Sequence, residues 1–172
     1  MQNRASNRTI SAEFFAQGYR VSGTYPITKQ LLADVVYDPT TNYLAVEQAY
    51  ISPIMNPARI SANYNLATID KVNLDFVLTV NQQDGLRRDQ RYVMTGNKFD
   101  IFLTVPFFEI AGELRAAMKT FHPRSYLGTE AGLFITLLNV TARCTFNPDI
   151  SYEGGTALIN RAKISFFGER VA

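Results

Sequence analysis

The 172-residue sequence holds one cysteine, one histidine and no tryptophan. A lone Cys144 excludes an intramolecular disulfide and suits a reducing compartment. One Cys and one His cannot build a soft-ligand metal cage, and no Asp-x-Asp-x-Asp-Gly loop offers calcium an oxygen cage. No glycine-rich loop opens a helix, so a nucleotide cofactor has no cradle; no cofactor of any kind is expected. Gly-x-Ser-x-Gly and His-Glu-x-x-His are both missing. Long apolar runs are scarce too. The longest stretch without a charge, residues 131–142, is twelve residues, against the about 20 that a spanning helix needs. No apolar stretch follows Arg4 and Arg8, which argues against a secretory signal. The expectation is a cytoplasmic protein without a transmembrane segment, for which contact with a membrane or organelle envelope would be peripheral. Neither sign of charge dominates. Seventeen Lys and Arg face fifteen Asp and Glu, and a balance of +2 is too slight to predict nucleic-acid binding.

What the chain does have is self-similarity. Tyr19-Arg20-Val21-Ser22-Gly23-Thr24-Tyr25 matches Phe108-Glu109-Ile110-Ala111-Gly112-Glu113-Leu114 at an offset of 89 (112 less 23). Tyr43-Leu44-Ala45-Val46 aligns with Phe134-Ile135-Thr136-Leu137 at an offset of 91 (134 less 43), and Asn56-Pro57 recurs as Asn147-Pro148. Ile69-Asp70-Lys71-Val72-Asn73-Leu74 matches Ile159-Asn160-Arg161-Ala162-Lys163-Ile164 at an offset of 90 (159 less 69). Four anchors in one order, drifting by two residues, point to an internal duplication.

Each half reads as strands. Tyr19, Val21 and Gly23 alternate with Arg20 and Ser22. Residues 74–80 and 99–105 are rich in β-branched and aromatic types, and residues 133–140 are nearly continuous apolar, as a strand buried on both faces would be. One short helix is expected over residues 28–36, with Thr28 as its cap. The fold class expected is mainly β: two tandem, similar small β-barrel or sandwich-like modules related by a pseudo-twofold repeat. The boundaries are an N-terminal arm over 1–11, a first module over 12–80, a charged connector over 81–98 and a second module over 99–172.

The whole charge excess lies in the connector, where Arg87, Arg88, Arg91 and Lys98 outnumber Asp84 and Asp89. It is the one segment that would draw an anionic partner. Asp149-Ile150-Ser151-Tyr152-Glu153-Gly154 looks like the Asp-x-Ser-x-x-Gly half of PilZ domains, and Arg87 to Arg91 has the spacing of their Arg-x-x-x-Arg half. That resemblance implies a regulatory domain clasping a cyclic dinucleotide through Arg87, Arg88, Arg91, Asp149 and Ser151. The 58 residues from Arg91 to Asp149 (149 less 91) far exceed the family's one-strand interval. Asp149 to Gly155 also reads as an inter-strand turn. An enzyme would have only His122, Arg143, Asp149 and Ser151 to work with, and Cys144 reads as a buried structural thiol. No catalytic activity is expected. The twenty-one Phe and Tyr residues read as core and contact surface.

Residues 12–80, from Gly18-Tyr19-Arg20-Val21-Ser22-Gly23-Thr24 through Gln30-Leu31-Leu32-Ala33-Asp34 to Ile69-Asp70-Lys71-Val72-Asn73-Leu74, resemble an uncharacterised bacterial family. Its pattern closes with a strand entered through an Asn/Asp-Lys/Arg step, as Sm-like small barrels do. Residues 105–168 resemble it more loosely, with Ser125-Tyr126-Leu127-Gly128 in place of the leucine-rich turn. The resemblance implies paired small barrels without catalysis. Part of that family is associated with green filamentous phototrophs, where small aromatic-rich proteins coat the chlorosome, so an envelope protein of that light-harvesting organelle is one implied setting. The function expected is a structural or protein-interaction module that self-assembles or docks on a larger complex. Its expected contact strands carry Leu74, Phe76, Phe99 and Ile101, because unprotected apolar edges invite association.

Overall fold

A computed structural model describes residues 8–91 and 95–171. Residues 1–7 of the expected arm, 92–94 of the expected connector and Ala172 lie outside the described residues. The strands are β1 (Thr9–Ala16), β2 (Tyr19–Pro26), β3 (Tyr43–Pro53), β4 (Ala62–Asp70), β5 (Leu74–Thr79), β6 (Asn97–Val105), β7 (Phe108–Ala116), β8 (Phe134–Cys144), β9 (Ser151–Asn160) and β10 (Phe166–Glu169). They form one antiparallel sheet in the order β10-β6-β7-β8-β9-β5-β1-β2-β3-β4. The protein is mainly β, as its alternating pattern predicts.

Local chemistry sets the strand junctions. Gln17 and Gly18 turn β1 into β2 with φ of 52° and 81°, the two positive values of a tight hairpin. Pro106 and Phe107 turn β6 into β7 with one positive value, Phe107 at φ 70°, since the proline ring keeps its own φ negative. The register of β2 on β3 shifts between Ser22 and Thr24, and that of β7 on β8 between Ala111 and Glu113. The residues skipped are the glycines that the self-comparison aligned. A Cβ on Gly23 would stand 2.4 Å from Val46 Cγ1, and one on Gly112 would stand 3.0 Å from the Leu138 carbonyl oxygen. Only glycine lets the next strand pass so close.

The Asp-Lys and Asn-Arg steps have an equally concrete role. Asp70 accepts a hydrogen bond from the Val72 amide (3.2 Å), and Asn160 accepts one from the Ala162 amide (3.0 Å). Each bond caps a single 3-10 turn, Lys71–Asn73 before β5 and Arg161–Lys163 before β10. The basic side chains then reach back to the segment between the second and third strands. Lys71 Nζ donates to the Val35 and Asp38 carbonyls and to Thr41 Oγ1 at 2.6–2.8 Å. Arg161 Nη1 donates to the Leu127 and Ala131 carbonyls at 3.2 and 3.1 Å.

Several boundaries differ from expectation. The helix, α1, spans Leu32–Tyr37 and has Leu31 rather than Thr28 at its cap position, with no side-chain cap. Hydrogen bonds from Ile27 N to the Arg8 carbonyl and from Tyr25 Oη to the Gln30 carbonyl tie the preceding residues to the sheet instead. Thr9 to Ser11 belong to β1, and Asn97 and Lys98 belong to β6, so the ladder takes residues from both the expected arm and the expected connector. Ser151 to Gly155 are not a turn but the start of β9.

The core is in two parts. One cluster gathers Ile10, Phe14, Leu44, Val46 and their neighbours, and the other Ile101, Leu103, Phe108, Ile110 and theirs. The central pair β5 and β9 serves both. Leu74, Val77 and Leu158 point into the first cluster, while Phe76, Leu78, Ala157 and Ile159 point into the second. Phe15 stacks on Phe76 at 4.3 Å, and Phe108 meets both rings edge-on.

Candidate functional site

The ends of the sheet are β4 and β10, and their composition is unlike that of the interior. β4 is nine residues long, and its one charge is the terminal Asp70. Asn63 through Leu66 are exposed, with Tyr64 at 47% and Leu66 at 62%. β10 presents Phe166 at 73% exposure. Soluble proteins normally blunt such edges with Lys, Pro or a covering loop, and β4 has neither residue. At the β10 end of the sheet, the exposed side of β6, β7 and β8 forms an open groove of about 570 Å³. Its charges are largely paired with one another. Arg170 grips Asp100 through two bonds of 2.7 and 3.1 Å, and Glu113 takes Lys98 at 3.4 Å and Asn139 Nδ2 at 2.7 Å.

The expected contact residues are not on these edges. β5 lies between β9 and β1, and β6 between β10 and β7. Leu74, Phe76 and Ile101 are fully buried and Phe99 nearly so. β5 is buried on both faces, as a strand that the sheet encloses is, whereas β6 buries one face and leaves Asp100 and Phe102 exposed on the other. The edge strands could have been sought instead in residues 62–70, where β-formers alternate with uncharged polar residues.

Nor does the structure assemble the dinucleotide clasp. Arg87 lies over the Tyr37 ring at 4.4 Å, with its Nε 3.9 Å from Asp89, and the Arg88 amide donates to Asp34. Tyr37 in turn bonds Thr136 on β8 at 2.7 Å. Ser151 pairs with Arg143, seven residues further along β8, which is on the order of 20 Å of strand. Asp149 sits in the turn before Ser151, where its amide bonds Asn147. The Arg91 Nε and Nη2 atoms are enclosed without a hydrogen-bond partner. His122 is exposed, immediately before the helical residues 123–130, and Cys144 is buried with its Sγ 3.6 Å from Met55 Sδ. His122, Arg143, Cys144, Asp149 and Ser151 therefore do not converge as a nucleophile, base and orienting group would.

Among the described residues, no three His, Cys, Asp or Glu side chains gather as a metal site needs, and no helix is long and apolar enough to cross a membrane. Burial is the leading cause of shift at Tyr25, Tyr37, Lys71, Asp75 and Tyr152. Asp75, 2% exposed with Oδ2 unpartnered, has its carboxyl pushed up to about 6 by burial, which Lys163 only partly offsets. Burial lowers the Lys71 ammonium, against the pull of Asp38, and raises the Tyr152 phenol, against the pull of Arg20. None of these groups lies on β4 or β10. No family model, curated protein or solved structure matches the chain.

Proposed function

We propose that the chain is a non-enzymatic protein-interaction module, two tandem small-barrel units that use a free sheet edge to join a larger assembly. The observation that carries this is β4: nine residues, exposed along most of their length, with no Lys or Pro to blunt them. Strand addition to such an edge satisfies backbone donors and acceptors, while alternate side chains choose the partner.

The tandem reading rests on register. β1 meets β2 from Thr9↔Pro26 to Ala16↔Tyr19, and β6 meets β7 from Asn97↔Ala116 to Val105↔Phe108. Phe14↔Val77 in the first half corresponds to Leu103↔Phe167 in the second. The bulges at Gly23 and Gly112, and the two separate core clusters, add to it. The units are joined head to tail, the fourth strand of one (β9) against the fifth of the other (β5), rather than through like strands. The polar clusters that an enzyme or a cyclic-dinucleotide receptor would use are dispersed, which favours interaction over either.

The test is a photo-reactive amino acid at position 66, outward on β4, with position 119 as a control, irradiated in the cell of origin. The expected result is a discrete protein adduct from position 66 and none from 119. Absence of any protein adduct from β4 overturns the reading.

A further inference from the structure

We infer that the partner of β4 is β10 of a second copy of this chain, in the register that already joins the two halves within one molecule. This rests on the interaction reading above and names its partner. The internal junction is β5 on β9, with Phe76↔Ile159, Val77↔Leu158, Leu78↔Ala157 and Thr79↔Thr156. Under the repeat offset of 90 (159 less 69), β5 corresponds to β10 and β9 to β4. Within each half the correspondence holds to the residue: Phe15↔Phe76, Phe14↔Val77 and Glu13↔Leu78 in the first become Thr104↔Phe166, Leu103↔Phe167 and Phe102↔Gly168 in the second. The molecule thus carries one junction formed and, at its two ends, the two halves of the same junction unformed. Joining copies would pair Phe166 with Ile69, Phe167 with Thr68, Gly168 with Ala67 and Glu169 with Leu66.

The side chains at the ends complement one another. In the internal junction, Leu78 of the fifth strand overlies Gly154 of the fourth. A Cβ on Gly154 would lie 2.6 Å from Leu78 Cδ1 and 2.7 Å from the Thr79 carbonyl oxygen, so both the large side chain and the backbone of the fifth strand hold that position to glycine. At the free ends the sizes are exchanged. The counterpart of Leu78 is Gly168, and a Cβ there would find no atom within 4 Å. The counterpart of Gly154 is Tyr64, 47% exposed. Beyond Leu66 the outer pair must diverge from the formed junction, where the Thr79 carbonyl leaves no room for a Cβ; there the open space at Gly168 faces the Tyr64 ring, one small residue against one large. Leu66 occupies the position of Thr156, which the formed junction buries completely. An interface of unlike edges is heterologous, and repeating it yields a closed ring or an open fibre according to the rotation per copy.

The experiment is light scattering of the full chain during size exclusion, over a hundredfold range of concentration. The wild type is expected to run as a multiple of its 19.3 kDa mass. Gly168→Leu fills the space that Tyr64 of the next copy needs, and should shift the midpoint of assembly to at least tenfold higher concentration. Tyr64→Gly combined with Gly168→Leu rebuilds the Leu78–Gly154 pairing at the outer junction and should restore assembly. Circular dichroism of the single variant should match the wild type, since Gly168 has open space around it. A wild type that stays at 19.3 kDa throughout, or an assembly indifferent to Gly168→Leu, overturns the self-partner inference. A photo-adduct from position 66 with a different protein would then leave the interaction reading standing. Loss of the adduct as well would remove both.

Discussion

Asp75 is the residue whose charge the fold tolerates least. It lies on β5 at the junction of the two clusters, 2% exposed, and its Oδ2 has no hydrogen-bond partner. Its carboxyl is raised to about 6, so the folded chain binds a proton more tightly than the unfolded chain does. Stability therefore falls as pH rises from the unfolded value of 3.8 to about 6, and stays lowered above that. Asp75→Asn is expected to raise unfolding free energy at pH 7.5 by about 2 kcal/mol and to match the wild type near pH 4, as urea titrations at several pH values would show. Lys71 is the opposite case. Its buried ammonium satisfies two carbonyls and a hydroxyl at the end of α1, and burial alone lowers its proton affinity. Lys71→Met keeps the apolar stem but leaves those acceptors unpaired, so a loss of about 2–3 kcal/mol is expected in the same titration. Both residues stand in the aligned sequence repeat, yet only Lys71 shows its role there, because the Asp-Lys and Asn-Arg steps recur whereas Asp75 corresponds to Ser165.

At the scale of elements, the bulges govern how each half bends. Gly23 lies against Val46 Cγ1 and the Glu47 carbonyl oxygen, at 2.4 and 3.0 Å from the position a Cβ would take. Gly112 has only slightly more room, its nearest neighbour being 3.0 Å away. Gly23→Ala should cost about 2–3 kcal/mol and Gly112→Ala about 1 kcal/mol, read from shifts in the denaturation midpoint at unchanged slope. The two glycines were legible in the sequence as aligned anchors, since each sits between an aromatic and β-branched alternation and another large residue. The positive φ of Gln48 (48°) and Asn139 (50°), facing those bulges, was not legible. Glutamine carries no turn signal, and its conformation follows from the strand it crosses. The short helix was misplaced for a related reason: Thr28 has capping chemistry, but the sheet holds Ile27 through the Arg8 carbonyl.

Across the whole molecule, the β5–β9 pair makes the halves interdependent. Phe76 stacks on Phe15 but belongs to the cluster built largely by β6 to β9, and Leu158 of the second half belongs to the cluster of the first. Unfolding should therefore be a single transition, with near-ultraviolet and far-ultraviolet circular dichroism superimposing. Phe76→Ala should lower its free energy by about 3–5 kcal/mol without splitting it. Two resolved transitions would mean that the two core clusters melt independently. In the assembled state, the midpoint should also rise with protein concentration, because an interface between copies adds stability by mass action.

The sequence alone determined the class of secondary structure and the glycines and polar steps, recurring at an offset near 90, that bend or enter strands. Those features are local, and each residue's own stereochemistry or hydrogen bonding enforces them. Which strand lies beside which was decided only by the tertiary structure. Apolar alternation says that a strand must be covered but not by what, so residues 74–80 and 99–105 read as exposed edges, whereas β5 and β6 each lie between two neighbours. The free edges fell to β4 and β10 because β9 took the place beside β5. Pairing there buries Phe76, Leu78, Leu158 and Ile159 between two clusters at once, which no local pattern can anticipate.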